Sequence, residues 1–312
     1  MINCKTLLGH KGLDFSISCL KTFIENSENE IHLQIFEDGT LSNEDKLLLK
    51  TSLKGSSVID KADIDKQVEE KLSNYPACLA YRNSTIYGIK LFDIMLYKDE
   101  DTFYIDSDIY FIKNFTLPKF ANLPIFMSDT FNAYSFQPLE FIQIKFPIYP
   151  YINSGFFYFP KELYNLNYIE ELLNKPVIKN AFKNALAKKL YWSEQTIWAF
   201  LSGKSKAICY FNNNQIMMAQ QVMKYPIQDN ITSETIAIHL VSSLRTNIYN
   251  VLERDFSQKS KSTNFNHIEL EYNENHLSKL GFLIDRLQKK WRQMNPKKYS
   301  NHNSNVVRKK LS

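Results

Sequence analysis

The chain has 312 residues, 44% of them hydrophobic and 14% aromatic, which is long and apolar enough to bury a sizeable core. No run of 18 apolar residues offers a membrane-spanning helix, and the start, Met1-Ile2-Asn3-Cys4-Lys5, lacks the pattern of a secretory signal. The formal net charge of +5 is uneven: residues 279–312 hold ten Lys/Arg against one acid (Asp285), leaving 28 against 32 in the rest.

The four cysteines (Cys4, Cys19, Cys78, Cys209) lie far apart without a CxxC pair, which argues against a disulfide framework or zinc ribbon. They read as free thiols in a reducing, cytoplasmic setting. Gly is scarce, and no linker or repeat divides the chain. The expectation is one catalytic domain over 1–256 and a basic extension over 257–312.

In chain order, residues 5–9 fit a first strand and 15–24 a helix by their apolar spacing. Residues 31–36 alternate as a strand and stop at Glu37-Asp38-Gly39, a turn signal. Ser42 three residues before Asp45 predicts a helix N-cap, and 56–59 a third strand. Residues 78–97 read as one long amphipathic helix, and 102–105 as a buried strand by their β-branched and aromatic content. Strands alternating with helices predict an α/β fold, a mostly parallel central sheet flanked by helices. From Ile125 onward strand-like aromatic segments and helices mix.

The strongest local signal is Phe103-Tyr-Ile-Asp106-Ser-Asp108-Ile-Tyr-Phe111. Carboxylates at the carboxyl end of a strand in an open parallel sheet stand where ligands bind. Poorly solvated and mutually repulsive, they call for a cation between them. Oxygen ligands suit Mg²⁺ or Mn²⁺. A pair of surface-turn aspartates is the alternative, and the apolar flanks on both sides weigh against it.

Further motifs follow in order: Asn153-Ser-Gly155-Phe-Phe, Glu194-Gln195 and His239-Leu-Val-Ser242-Ser-Leu-Arg245. With Asp106-Ser-Asp108, this order resembles GT-A glycosyltransferases, closest to the retaining GT8-like (glycogenin- and galactosyltransferase-like) enzymes, over about residues 5–250. The resemblance implies a GT-A fold and transfer of a hexose from a nucleotide-diphosphate-sugar donor, UDP-sugar favoured. The acceptor would be a glycan or lipid-linked, and the reaction would proceed with retention.

It further implies that Asp106, Asp108 and His239 hold the metal, with Arg245 on the donor diphosphate in place of the family's Lys. Ser242 stands where the family has Gly. Lys90 matches a basic donor-facing position, with a solvated helix lysine as the alternative. Asp129 resembles the acid that accepts donor-sugar hydroxyls, and Glu37 and Asp38 fall where GT-A proteins hold the nucleoside. Asn153 and Gly155 fit a turn approaching the sugar. Glu194 and Gln195 are the catalytic candidates at a helix start, with Ser193 a candidate N-cap. Gln195 would lie near the anomeric carbon; inversion would instead use Glu194 as a base.

Leu280, Leu283, Ile284, Leu287, Trp291 and Met294 form an apolar stripe on a helix expected over about 276–294. Lys289, Lys290, Arg292, Lys297 and Lys298 crowd the same segment, and Arg308-Lys-Lys310 follows. One reading is peripheral contact with an anionic membrane on its inner face. Another is a helix packed on the domain with a basic end beyond it. Nucleic acid is a third, weaker reading of the basic segment, and it is not an expected partner.

Competing functions are less well served. A sugar-nucleotidyltransferase needs a richer glycine loop than Gly9-His-Lys-Gly12, and a HAD-type phosphatase needs Thr or Val where Tyr110 stands. A non-catalytic nucleotide-sugar or glycan-binding protein on the same fold stays open.

Overall fold

The computed structural model describes residues 1–120, 122–187, 192–222, 230–241, 245–256 and 265–294. Its strands are β1 (Ile2–Leu8), β2 (Ile31–Glu37), β3 (Ser57–Ile59), β4 (Thr102–Ile105), β5 (Ile109–Phe111), β6 (Phe115–Thr116), β7 (Ile125–Ser128), β8 (Ile152–Phe159), β9 (Ile208–Phe211), β10 (Ile216–Met218), β11 (Ala237–His239), β12 (Asn266–His267) and β13 (Leu270–Asn273). Its helices are α1 (Leu13–Asn26), α2 (Asn43–Ser52), α3 (Lys61–Leu72), α4 (Pro76–Ser84), α5 (Ile86–Leu96), α6 (Pro138–Gln143), α7 (Leu166–Asn174), α8 (Pro176–Ala187), α9 (Ser193–Ser202), α10 (Ala219–Val222), α11 (Arg245–Phe256) and α12 (Lys279–Met294).

The main sheet runs β13-β9-β7-β8-β4-β1-β2-β3. Its ladders β1–β2, β1–β4, β2–β3 and β7–β9 are parallel, whereas β4–β8, β7–β8 and β13–β9 are antiparallel. This is the flanked, mostly parallel α/β sheet expected from the alternation of elements. Both faces are covered. One packs Phe92, Phe157 and Trp198, the other Phe23, Phe103, Phe156 and Phe211. A sheet apolar on both faces leaves its strand ends as the natural place for polar chemistry.

Two local expectations need correction. Residues 78–97 are not one helix. Thr85 takes an extended conformation (φ −153°, ψ 153°), and its side chain accepts from Gly88 N, capping α5. The break brings α4 close against α5: a Cβ on Gly88 would lie 2.3 Å from Tyr81 O, so only glycine fits. Residues 153–155 form no turn either. The β7–β8 register passes from Phe126↔Phe157 to Met127↔Asn153, so residues 154–156 of β8 form a bulge against β7, while Phe156 still pairs with Ile105 of β4. The capping box of α2 forms as expected, with Ser42 and Asp45 exchanging bonds.

A smaller sheet, β10-β11-β5, sets β11 antiparallel to β5 with His239 opposite Ile109. The chain after 256 returns to the body, because β13 extends the main sheet beside β9 and β12 pairs with β6.

Helix α12 docks by a face the apolar spacing does not reveal. The Phe282 ring packs tilted against that of Phe141 of α6, centroids 4.3 Å apart, and Asp285 accepts from Asn132 N at 3.0 Å. Arg286 donates to the carbonyls of Tyr134 and Phe136. Leu280, Ile284, Leu287, Trp291 and Met294 are exposed on the outside. Lys297, Lys298 and Arg308 to Lys310 lie outside the described residues, as does the Arg292 side chain. Among the described residues, no helix is long and apolar enough to cross a membrane.

Candidate functional site

Strand β4 ends at Ile105, and the chain turns through Asp106-Ser107-Asp108 into β5. Backbone bonds pin the turn at both ends. Asp106 N donates to Gly155 O at 2.6 Å, and Leu240 N to Asp108 O at 2.8 Å. The first bond ties the turn to the β8 bulge, the second to the end of β11. Three stretches distant in sequence therefore meet by main-chain pairing, which fixes them more firmly than side-chain contacts alone.

The side chains converge there. His239 Nε2 lies 3.0 Å from Asp108 Oδ1 and 3.7 Å from Asp106 Oδ2. One ligand atom from each of Asp106, Asp108 and His239 can be chosen so that all lie within 4.8 Å of one another. Gly155 has a steric reason to be glycine: a Cβ there would sit 2.3 Å from His239 Cε1. His239 Nδ1, on that shielded side, is buried and has no hydrogen-bond partner among the described residues. Nε2 is thus the nitrogen offered to the carboxylates. Two hard oxygens and one imidazole nitrogen fit a divalent cation such as Mn²⁺ or Mg²⁺.

Cations flank the triad. Lys90 is buried, not solvated, and its ammonium donates to Asp106 Oδ1 at 2.9 Å, beside the Tyr104 hydroxyl at 2.8 Å. Burial opposes its charge, but Asp106 and then Glu194 outweigh burial and raise its pKa. Arg245 pairs with Asp108 Oδ2 and donates through Nε to Leu240 O. Burial would raise the Asp108 carboxyl; His239 and then Arg245 overcome it and hold the pKa below its ordinary value. For His239 itself, burial lowers and the neighbouring Asp108 and Asp106 more than restore, so its pKa is raised. Ser242 lies outside the described residues.

Asn153 links the triad to Asp129. Its Oδ1 accepts from Gly155 N at 2.9 Å, and its Nδ2 donates to Asp129 Oδ2 at 3.3 Å. Burial raises the Asp129 carboxyl. Glu194 is buried in the first turn of α9, and its two oxygens accept from Ser154 Oγ (2.8 Å) and Trp198 Nε1. Burial raises its pKa, with Lys90 opposing. Gln195 Nε2 donates to Ala133 O at 3.0 Å. Ser193 caps nothing: it is the first residue of α9, and its hydroxyl meets Tyr81 OH at 2.6 Å.

Glu37 and Asp38 do not join this cluster. Glu37 accepts from Lys46 Nζ and Lys61 N, tying α2 to α3. Asp38 caps its own turn through Thr40 N and lies over Gly9, where a Cβ would come 2.1 Å from its Oδ2. Two contributors escaped the sequence reading. Tyr104 stands two residues before Asp106, and strand alternation predicts that both share a face. Ser154 lay inside the noted Asn-Ser-Gly motif without a role.

No family model and no curated protein matches this sequence. Among solved structures the chain is similar to the galactosyltransferase LgtC in complex with donor and acceptor sugar analogs, with a TM-score of 0.50 at 12% identity. That match covers 83% of this chain and 98% of LgtC. The fold is GT-A. At this identity the likeness is one of fold. An active-site mutant of LgtC also aligns (TM-score 0.42, 10% identity, 83% of this chain and 98% of that one). So does the bifunctional glycosyltransferase WbbM in its apo form (0.42, 10%, 80% and 49%). In this GT-A chain the Asp106–Asp108 turn follows the carboxyl end of β4, beside the switch from parallel to antiparallel pairing between β1 and β8.

Proposed function

We propose that this GT-A chain is a metal-dependent glycosyltransferase. On this reading it moves a hexose from a nucleotide-diphosphate-sugar, UDP-sugar favoured, to a glycan or lipid-linked acceptor with retention. The observation that carries it is the convergence of Asp106, Asp108 and His239 at one strand end, flanked by Lys90 and Arg245. A divalent cation held by the three would supply Lewis-acid charge to the leaving diphosphate.

The chain's own groups act around that charge. Lys90 and Arg245 are already oriented by carboxylates, so they meet negative charge developing on the leaving group without reorganising. Asp129, held by Asn153, accepts donor-sugar hydroxyls, and the bare backbone at Gly155 leaves room for the His239 ring beside them. Gln195 sits beside the reacting carbon. Inversion calls for a free carboxylate base. Both oxygens of Glu194 already accept hydrogen bonds, which favours retention and gives Glu194 the task of orienting Ser154 and the start of α9.

Mn²⁺-dependent hydrolysis of a UDP-hexose panel tests the reading. Asp106→Ala and Asp108→Ala should each lower the rate about a thousandfold, since a Lewis acid contributes several kcal/mol. No hydrolysis by the wild type with any donor would favour the nucleotide-sugar-binding alternative. Undiminished rates in both variants would remove the triad from the chemistry.

The exposed stripe of α12 supports a second element of the proposal, peripheral docking on an anionic membrane surface. Wild-type chain should co-sediment with phosphatidylserine vesicles, less so as salt rises. A variant with Leu287 and Trp291 both changed to Ser should stay in solution; equal sedimentation of the two would rule the helix out as the anchor.

A further inference from the structure

A second charged cluster borders the site, built from three segments that sequence reading leaves unconnected. Lys289 of α12 places its ammonium 3.4 Å from the centroid of the Phe131 ring and 4.6 Å from that of Trp192. The two rings meet edge to face at 5.5 Å, and Arg286 stands 5.6 Å from the Trp192 ring. Phe131 is two residues beyond Asp129, and Trp192 two before Glu194. The cluster is therefore anchored on both sides to the walls of the candidate site.

Its polar groups are unbalanced. Among the described residues, no carboxylate lies within 4 Å of the Lys289 ammonium, which meets aromatic faces only. Among the described residues, Asn132 Nδ2 and Arg286 Nε are also buried donors without an acceptor. Asp285 accepts from Asn132 N, and Asp129 from Asn153 and Thr130 N. A half-buried ammonium given only ring faces has hydrogen-bonding capacity left over. Burial, then Arg286, lowers its pKa to about 8, with Asp129 and Asp285 opposing, so it stays mostly cationic at neutral pH.

A partly exposed aromatic pair beside such a cation suits one kind of ligand. The C–H face of a sugar ring lies against the aromatic surface, and an anionic substituent takes the ammonium in a charge-assisted bond. We propose that Lys289, framed by Phe131 and Trp192, binds the anionic group of the acceptor, which is then a glycan whose pyranose ring carries a carboxylate or a phosphate. This rests on the glycosyltransferase reading above. Helix α12 thereby forms an acceptor wall of the GT-A domain.

Saturation-transfer NMR on the full chain provides the test, with methyl β-glucuronide, galactose 6-phosphate and neutral methyl β-glucoside as observed probes and inorganic phosphate as a competitor against the sugar phosphate. At least one charged sugar should bind about tenfold or more tighter than the neutral one, as a single good charge-assisted bond provides. The uronide and phosphate arms tell which anion is preferred. Lys289→Met should bring the charged-to-neutral ratio to about one, and Lys289→Arg should keep it. Because the ratio is internal to each variant, a loss of folded protein does not imitate the result. A wild type that does not discriminate, a ratio that survives Lys289→Met, or inorganic phosphate binding as tightly as the sugar phosphate would each overturn the proposal. The assay uses neither donor nor metal, so it fails independently of the hydrolysis test.

Discussion

Helix α5 feeds one charged residue into each of two buried clusters, and the clusters are finished differently. Asp93 meets Arg82 in a fork, Oδ1 to Nε at 2.6 Å and Oδ2 to Nη2 at 3.0 Å, with Lys61 3.6 Å away and Asp65 on the far side of the guanidinium. One turn earlier, Lys90 meets Asp106, but there two carboxylates and an imidazole crowd together, and His239 Nδ1 has no partner among the described residues. In the Arg82 cluster, cations and anions alternate and the geometry is closed. In the Asp106 cluster, groups that repel or compete are held near one another by main-chain bonds. Buried charge alone therefore does not single out a candidate site; convergence of atoms that could hold a metal does.

That contrast can be broken by mutation. The largest expected effect is Arg82→Ala, which leaves Asp93 inside the core without its fork and with Lys61, 3.6 Å away, as its remaining cation. It should cost about 3–5 kcal/mol in urea unfolding, while Mn²⁺-dependent hydrolysis per folded molecule stays at the wild-type rate. A loss below about 1 kcal/mol would mean that the closed cluster does not hold α4 to α5. The smaller and sharper effect is Gly155→Ala. The new methyl displaces the His239 ring, so Mn²⁺ affinity by titration calorimetry should fall about 10- to 100-fold, as for lost outer-shell support. The accompanying stability loss should be about 1–3 kcal/mol from overpacking. Unchanged metal affinity would show that the ring is not seated by the bare backbone.

The same contrast explains what was legible beforehand. Asp106 and Asp108 could be read because their apolar flanks announce a buried strand end. His239 and Arg245 carry no such local sign and were reached only through motif order, since β11 finds its place by pairing with β5 across the chain. The helix break at Thr85 was hidden because α4 and α5 each continue an apolar pattern. The decisive contact, Gly88 against Tyr81 O, is between neighbouring turns in space. Helix α12 shows the limit most clearly. Its apolar stripe is exposed, and it docks by Phe282, Asp285, Arg286 and Lys289, a spacing right for a helix face but polar in composition. Hydrophobic periodicity finds a helix reliably and says less about which side it buries when polar groups do the docking.

Delivering His239 and Arg245 by a late strand and helix has a consequence for synthesis. Arg245 follows Asp108 by 137 residues. At about 5–20 residues per second, roughly 7–27 s of translation separate their emergence. During that interval Lys90, Asp106 and Asp108 are already part of the growing chain, yet β11 has not arrived to pair with β5. The cluster is thus completed late, and a chain still short of β11 has the two carboxylates without His239 and Arg245.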